Sequence, residues 1–245
     1  MMIAETFMIS RRFRGPSQSG NGGYVCGRLA RHVAGPALVR LRAPPPLDVE
    51  LRIETSDRGA TLLDGSRLIA EARALDFDAT PPPAPSFSEA EAASTHYQGF
   101  VQHGFPYCFV CGTRRSPGDG LRLYPGDTSD RSMVAAPWIP DASLADGTGA
   151  VAKEFLWAAL DCPSAFAFLP LPNGKRVVLG ELCARIESAV APGDRCVVTG
   201  WRIAAEGRKH VAGSAVFSEP GRLIAVGRAT WIEISASAFP DETEG

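Results

Sequence analysis

The sequence predicts an α+β protein made of two similar units, each with one long helix wrapped by a curved antiparallel sheet. The strongest observation is an internal repeat, because "RLIAEARAL" at 67–75 recurs as "RLIAVGRAT" at 222–230. Upstream of each copy lie two alternating apolar and polar runs, and upstream of these an apolar segment with helical character. A repeat of about 100 residues is too long for a solenoid module and has the size of a duplicated domain.

The alternating runs predict the strands of each unit. The run "VRLRAPPPLDVELRIE" at 39–54 has the same layout as "CARIESAVAPGDRCVVTG" at 183–200, with a proline-and-aspartate turn in the middle. Alternation with a period of two between turn residues is typical of strands with one buried face. The glycine turns at 64–65 and 220–221 then connect hairpin strands.

The predicted helices cover 24–33 and 151–162. The second contains "KEFLWAALDC", which is apolar on nearly every side, as expected of a helix surrounded by sheet. The first follows "SGNGGYVCG", in which three of four consecutive residues are glycine. Glycine loses extra backbone freedom on ordering, so this segment is either a flexible turn or a place where another group approaches the backbone closely.

These patterns divide the chain into four segments. We expect an N-terminal unit at 1–78, a proline-rich linker at 79–104, a C-terminal unit at 105–237 and a disordered tail at 238–245. The prolines at 81–83 predict an extended and exposed connection.

Composition excludes several classes of function. The formal net charge of −2, from 25 basic and 27 acidic residues, gives no electrostatic reason to bind nucleic acid or an anionic membrane. No apolar run approaches the ~20 residues of a membrane helix, and the N-terminus lacks a signal-peptide pattern. Six cysteines in a chain with ample apolar residues predict a reduced, cytoplasmic protein without structural disulfides.

The stretch 108–162 resembles the hotdog-fold thioesterases. It contains "CFVCG", "DGLRLYPG" and "VAAPWIPDASLADGTGAVAKEFLWAALDC". The family pattern has a Cys-x-x-Cys-Gly, a Gly-Leu strand, an ending in tryptophan and proline, a His-Gly-Gly that opens the central helix, and an aspartate nine residues after the histidine. The first unit follows the same scheme from "SGNGGYVCGRLA" onward, so the resemblance covers most of the chain outside the linker.

The resemblance implies a double hotdog, in which two fused units replace the homodimer of relatives. It implies an acyl-CoA thioesterase without metal or cofactor, in which the helix start of one unit faces the acid of the other. Here the first unit has Asn-Gly-Gly at 21–23 but Ala30 nine residues after Asn21, and the second has Asp161 but Ala152 nine residues before it. Each unit therefore keeps one half of the site, and the halves are complementary. Glu154 stands where the second unit would have glycine, so we expect the mirror-image site of Glu154 and Ala30 to be inactive or structural.

The residues fit thioester hydrolysis. A helix N-terminus carries unpaired N–H donors and about half a positive charge, which stabilise a developing oxyanion. Gly22 and Gly23 then leave room for the carbonyl, or form only a flexible loop. Asn21 either caps the helix or presents its amide to the thioester. Asp161 is either a capping or ion-paired residue, or the general base or nucleophile that the resemblance implies. Pro163 is expected to kink the helix just past this acid.

Further candidate substrate contacts flank these residues. Trp157 stands one turn before Asp161, so it either lines an acyl pocket or fills the core. Basic side chains either meet the phosphates of coenzyme A or are simply solvated. Besides Gly22, the residues predicted to contact the substrate are Tyr24, Trp157, Arg114, Arg115 and Lys153.

The pair Cys108 and Cys111 raises three alternatives. With His103, and more remotely His96, it supplies at most part of the four ligands that a structural zinc site needs. A redox role lacks the parallel-sheet context of thioredoxin-like motifs. A tight turn with packed cysteines at the start of the second unit is the favoured interpretation, so no metal is predicted.

Two other functions compete with thioester hydrolysis. One is a non-catalytic acyl-CoA-binding protein, in which both halves of the site have degenerated. The other is a 3-hydroxyacyl-thioester hydratase or dehydratase, which prefers a histidine at a helix position that has none here. The expected partner is acyl-CoA, not nucleic acid or membrane, and two double-hotdog chains could pair as a homodimer.

Overall fold

The computed structural model describes residues 3–219 and 221–238, so Pro220 of the predicted hairpin and the tail from 239 onward lie outside the described residues. Within this part, eleven strands form a single sheet. The strands are β1 (Ile3–Met8), β2 (Ala37–Leu41), β3 (Glu50–Ser56), β4 (Gly59–Asp64), β5 (Arg67–Ala74), β6 (Gly126–Asp127), β7 (Val134–Trp138), β8 (Arg176–Ile186), β9 (Cys196–Glu206), β10 (Lys209–Ser218) and β11 (Arg222–Ile234). The α-helices are α1 (Gly22–Ala30), α2 (Phe87–Ser94), α3 (Lys153–Ala159) and α4 (Asp161–Phe166).

The sheet repeats one arrangement of strands in its two halves. Its order is β1-β3-β4-β5-β2-β8-β11-β10-β9-β7-β6, so β2 and β8 join the halves at the centre. In the first half β1 and α1 precede four strands, and in the second half β6, β7, α3 and α4 precede four strands. The repeat predicts a helix followed by three or four strands in each unit; the strands that precede the helices were not predicted. The joint is antiparallel, with Leu38 opposite Cys183 and Arg40 opposite Glu181. Arg40 Nη2 also lies 2.7 Å from a Glu181 carboxylate oxygen, which adds an ion pair across the joint.

The two central helices pack directly against each other, and glycine makes this contact close. A Cβ atom on Gly27 of α1 would lie 2.5 Å from Cα of Glu154 and 2.8 Å from Cβ of Trp157, both on α3. Real Cβ atoms do not approach other atoms so closely, so only glycine fits here. Both helices are almost entirely buried, in agreement with the apolar sequence of the second. No helix in the described ranges has the length and apolar character that crossing a membrane requires.

The segment predicted as a linker contains a packed helix. Residues 75–86 have no regular secondary structure, and Pro83 is exposed while Pro81 and Pro82 are half-buried. Ser86 then starts α2 with a capping box, because its hydroxyl accepts from the Glu89 N–H and the Glu89 carboxylate accepts from the Ser86 N–H. The buried side chains of α2 pack against the sheet at β7 and β9; they are Phe87, Ala90 and Ala93. The first part of the segment is irregular, as its prolines predict, although only Pro83 is exposed. The second part belongs to the folded core.

We predict that Gly27→Ala destabilises the protein despite the higher helix propensity of alanine. The added methyl group has to push α1 away from α3, which we expect to lower the free energy of unfolding by about 1–3 kcal/mol. Denaturant titration measures this change. Gly147→Ala is the matched control, since a Cβ there would meet no atom within 4 Å. We expect the control to change stability by less than about 0.5 kcal/mol, and a Gly27→Ala protein as stable as wild type would contradict the packing argument.

Candidate active site

Asn21 connects the start of α1 to the second half of the chain. Its backbone is extended, and its side-chain Oδ1 accepts from the Tyr24 N–H at 2.9 Å, as in a helix cap. The cap fixes the side chain, so that its Nδ2 donates to Oδ2 of Asp161 at 2.6 Å. Both side chains are 2% exposed. Asn21 therefore caps α1 and contacts Asp161 with the same side chain.

A break in the second helix positions Asp161. Pro163 has no N–H to donate to the carbonyl four residues earlier, that of Ala159, and α3 ends at this residue. Asp161 is then the first residue of α4. The sequence predicted one helix through 162 with a kink past the acid, and this was wrong because the missing hydrogen bond acts one turn upstream of the proline. The carbonyl of Leu160 at the break accepts from the Ser214 hydroxyl at 2.6 Å.

Gly23 serves helix packing and does not leave space for a substrate carbonyl. A Cβ atom there would lie 2.6 Å from Cβ of Asp161 and 2.8 Å from the carbonyl oxygen of Trp157. The space that the sequence assigned to a carbonyl is thus filled by α3 and α4. Gly22 is half-buried and lines the cavity described below, and a Cβ atom there would lie 2.9 Å from Cδ2 of Leu179, a side chain of the same wall. As the first residue of α1, Gly22 carries an N–H that no intrahelical carbonyl accepts.

The Asp161 carboxyl has an unusual electrostatic environment. Burial, and next the negative charge of Cys108, raise its pKa to about 7, while the Gly23 N–H and the Asn21 amide oppose this rise. Its Oδ1 accepts no hydrogen bond of good geometry from the described part of the chain. A buried carboxyl whose pKa is raised this far is costly to ionise and is typical of functional positions.

Three cysteines lie beside this pair. The Sγ atoms of Cys108, Cys111 and Cys162 all lie within 4.8 Å of one another, and all three residues are buried. Hydrogen bonds from the other two thiols hold the pKa of Cys108 well below its ordinary value. His103, which the sequence offered as a third ligand, instead has Nε2 at 3.1 Å from the Cys111 carbonyl oxygen and accepts from the Phe105 N–H at Nδ1. Sequence reasoning missed Cys162 as the third member, although it directly follows Asp161.

A cavity of about 1050 Å³ opens next to Asn21 and Asp161. Both halves of the chain line it, through the start of α1, the end of β2, α4 and the facing parts of β8 and β11. Much of the wall is apolar; its large apolar side chains include Leu41, Phe105, Phe166, Leu169, Leu171, Val177, Leu179, Trp231, Ile232 and Ile234. The polar pair therefore lies at the wall of a space that fits an apolar chain.

The aromatic residues predicted as substrate contacts lie outside this cavity. Tyr24 is 4% exposed and stacks on Phe13, with ring centroids 4.2 Å apart. Trp157 is equally buried and faces Gly27 of α1. Both predictions fail because helix direction turns these side chains into the core between the helices. Trp231 of β11 lines the cavity instead and donates to the Ser164 hydroxyl at 2.8 Å.

The basic residues predicted for coenzyme A also lie away from the cavity. Arg115 is 8% exposed and donates to the Tyr107 carbonyl and the Asp119 carboxylate, so it is a structural residue. Arg114 contacts the Tyr107 ring and hydroxyl, and Lys153 is exposed at the start of α3. The cations that do line the cavity are Arg42, Lys175 and Arg176. No sequence pattern marked these three, since only the sheet brings their strands together.

The mirror-image position differs from the Asn21–Asp161 pair. Glu154 lies half-buried with Oε1 at 3.9 Å from Arg28 Nη1, and Arg28 also approaches Glu5. Ala30 offers no polar atom in its side chain. The acid at this end of the helix pair thus has a cationic partner and does not line the cavity.

Comparison with known proteins supports the fold. No protein-family model matches the chain, and no curated protein sequence does. Among solved structures, a protein described as a thioesterase II of Thermobifida fusca YX has a TM-score of 0.62 at 18% identity, covering 95% of this chain and 94% of that one. The tesB protein of Mycobacterium avium subspecies paratuberculosis has a TM-score of 0.61 at 11% identity, covering 95% and 93%. A conserved protein with a hot dog fold from Alicyclobacillus acidocaldarius has a TM-score of 0.53 at 10% identity, covering 95% and 93%. The chain therefore has the hotdog fold over nearly its whole length, as the sequence resemblance predicted.

We predict that Asp161→Asn stabilises the protein. The amide keeps an acceptor for the Asn21 side chain and removes a buried charge, so we expect the free energy of unfolding at pH 8 to rise by about 1 kcal/mol. Asp57→Asn, at an exposed turn position, serves as the matched control and should change stability by less than about 0.5 kcal/mol. Denaturant unfolding compares the two variants. A clear loss of stability in Asp161→Asn would mean that the carboxylate is structural.

Proposed function

We propose that the protein is a double hotdog that hydrolyses acyl-CoA thioesters at one composite site between its two units. The observation that carries the proposal is the buried pair of Asn21 and Asp161, one from each half, at the wall of a largely apolar cavity. Solved structures of the same fold that are described as thioesterases support this reaction class. The domain limits 1–78 and 105–237 belong to the same proposal, with α2 of the intervening segment packed onto the second unit.

The reaction needs a polarised carbonyl and an activated water. The thioester oxygen is placed at the N-terminus of α1, where the Gly22 N–H and the helix dipole stabilise the negative charge that develops on it. Asp161 acts as general base and takes a proton from water, whose oxygen attacks the carbonyl carbon. The tetrahedral intermediate then expels the thiolate of coenzyme A, which takes up a proton, and the acid is released. Asn21 orients the carboxylate through its hydrogen bond at 2.6 Å.

In this proposal the two ends of the substrate occupy different parts of the cavity. The acyl group occupies the apolar wall formed by α4, β8 and β11. The nucleotide phosphates meet Arg42, Lys175 and Arg176 at the cavity, rather than the more distant basic residues marked by the sequence. Arg42 pairs with Glu71, and Lys175 lies 2.6 Å from a Glu233 carboxylate oxygen. The half-exposed Arg42–Glu71 pair contributes only about 0–1 kcal/mol, so a phosphate can replace Glu71 as the partner of Arg42. Lys175 is about half exposed although Glu233 is buried, so its Nζ can also reach a phosphate at the cavity.

The hydratase alternative is weaker on this geometry. Its chemistry prefers a histidine beside the acid, and His103 is the histidine that lines the cavity. Both ring nitrogens of His103 already contact backbone groups, so the ring is not free to exchange protons with a substrate. The non-catalytic alternative, in which the protein binds acyl-CoA without cleaving it, is distinguished from hydrolysis by measuring turnover.

We predict that Asp161→Asn abolishes most hydrolysis of acyl-CoA. Loss of a general base lowers kcat by about 10²–10⁴-fold, while KM changes little because the cavity keeps its shape. Steady-state release of free thiol over a panel of acyl-CoA chain lengths measures both constants.

Glu154→Gln is the matched control for this measurement. It removes the acid of the mirror-image position, and we expect kcat to stay within about twofold of wild type because Glu154 does not line the cavity. Wild-type protein that binds acyl-CoA in calorimetry without turnover would contradict hydrolysis and favour the binding function. Equal loss of activity in both variants would contradict a single site.

We predict that Arg42→Ala combined with Lys175→Ala raises KM for acyl-CoA. Loss of phosphate contacts worth ~1 kcal/mol corresponds to about fivefold in KM, with kcat unchanged. The same acyl group on N-acetylcysteamine, which has no nucleotide, should show no change. Lys153→Ala is the control and should leave both substrates unaffected. A KM effect of equal size on both substrates would contradict phosphate recognition.

A further inference from the structure

The three buried cysteines beside the Asn21–Asp161 pair form a ready set of metal ligands. Cys108 and Cys111 come from the tight turn that opens the second half, and Cys162 comes from α4. Their Sγ atoms lie within 4.8 Å of one another, and Cys108 Sγ is 3.7 Å from Cys162 Sγ. Two thiolates on one tetrahedral zinc ion, each at about 2.3 Å, are separated by about 3.8 Å. The Cys108–Cys162 distance matches this value, and the other sulfur–sulfur distances are no longer than 4.8 Å.

Thiol packing alone does not explain this arrangement. Small apolar contacts between cysteines do not require three sulfur atoms to converge on one point, and the remaining cysteines of the chain lie elsewhere. Soft thiolate sulfur is the ligand type that selects zinc over magnesium or calcium. A set of three protein ligands with one open position is the arrangement of zinc sites that keep a water or another small ligand.

A second observation points to a ligand at this place. Asp161 is buried, yet its Oδ1 accepts no well-formed hydrogen bond from the described residues, and it lines the cavity together with the three cysteines. The Asn21 Nδ2 that lies 2.6 Å from Asp161 Oδ2 is also 3.8 Å from Cys108 Sγ, which puts the sulfur cluster next to the carboxylate. A water molecule on the open metal position would donate to this carboxylate in addition to the Gly23 N–H and the Asn21 amide.

We infer that Cys108, Cys111 and Cys162 bind one zinc ion, whose fourth position opens toward the cavity and Asp161. This ion ties the turn at 105–112 to α4 and so fixes the wall of the cavity on which Asp161 lies. The inference differs from the sequence-based expectation of no metal, because the sequence presents only two of the three ligands as a motif. It does not depend on the proposed hydrolysis, since the ligand set is defined by the sulfur positions alone.

The test is metal content and spectroscopy of the full-length protein. The protein is purified under reducing conditions, incubated with zinc and dialysed against metal-free buffer. Its zinc content is then measured by inductively coupled plasma mass spectrometry. We expect about one zinc ion per chain for wild type and at least a tenfold lower content for Cys162→Ala. Cys183→Ala is the matched control, because Cys183 is a buried cysteine in a separate cluster on β8, and should keep the full content.

Cobalt substitution keeps the test independent of whether a variant folds. Wild-type protein titrated with Co²⁺ should develop a thiolate-to-cobalt charge-transfer band in the near ultraviolet that saturates at one equivalent. Zinc should abolish the band on addition. Wild-type protein that takes up neither ion and retains six titratable thiols would overturn the inference, as would recovery of a Cys108–Cys111 or Cys108–Cys162 disulfide or of copper in place of zinc. Acyl-CoA hydrolysis is not used as a readout, so failure of the proposed function and failure of this inference remain distinguishable.

Discussion

The close approach of the two central helices is the constraint on which the rest of the structure depends. Gly23 and Gly27 let α1 approach α3 until backbone touches backbone, and a single methyl group at either position would separate them. The sheet halves, joined at β2 and β8, enclose this pair. Because the cap of α1 and the break before α4 lie at the same end of the pair, Asn21 reaches Asp161 across the contact. Packing of the core and geometry of the candidate site are thus consequences of the same short distance.

Several features that lower the stability of a folded core occur together at the candidate site. A buried carboxyl with a raised pKa, three converging cysteines and an interrupted helix all lie within one wall of the cavity. Each of these features lowers stability unless another group compensates for it. The surrounding hydrogen bonds offset part of the cost, as the Ser214 hydroxyl does for the Leu160 carbonyl. Such a concentration of polar groups in an otherwise apolar core marks this wall of the cavity as the candidate site.

The asymmetry between the halves gives the chain one candidate site instead of two. In a symmetric arrangement both helix starts would face an acid, but here only the start of α1 has the glycine and the amide. At the other end Glu154 pairs with Arg28, which stabilises the contact between α1 and α3. The end of the helix pair that carries Glu154 thus stabilises the fold, and the end that carries Asn21 and Asp161 forms the candidate site.

The sequence by itself determined the repeat, the helix before each set of strands, most strands and the choice of Asn21 and Asp161 as the residues to compare across the two copies. These features follow from local patterns and from comparing the two copies, so no contact information is needed. Tertiary structure alone decided the rest. It placed Tyr24 and Trp157 in the core, gave Gly23 to helix packing, brought Arg42 and Lys175 to the cavity and added Cys162 to the motif of Cys108 and Cys111. The physical reason is that side-chain direction and distant strand pairing depend on how whole elements pack, and periodicity along one element does not contain that information.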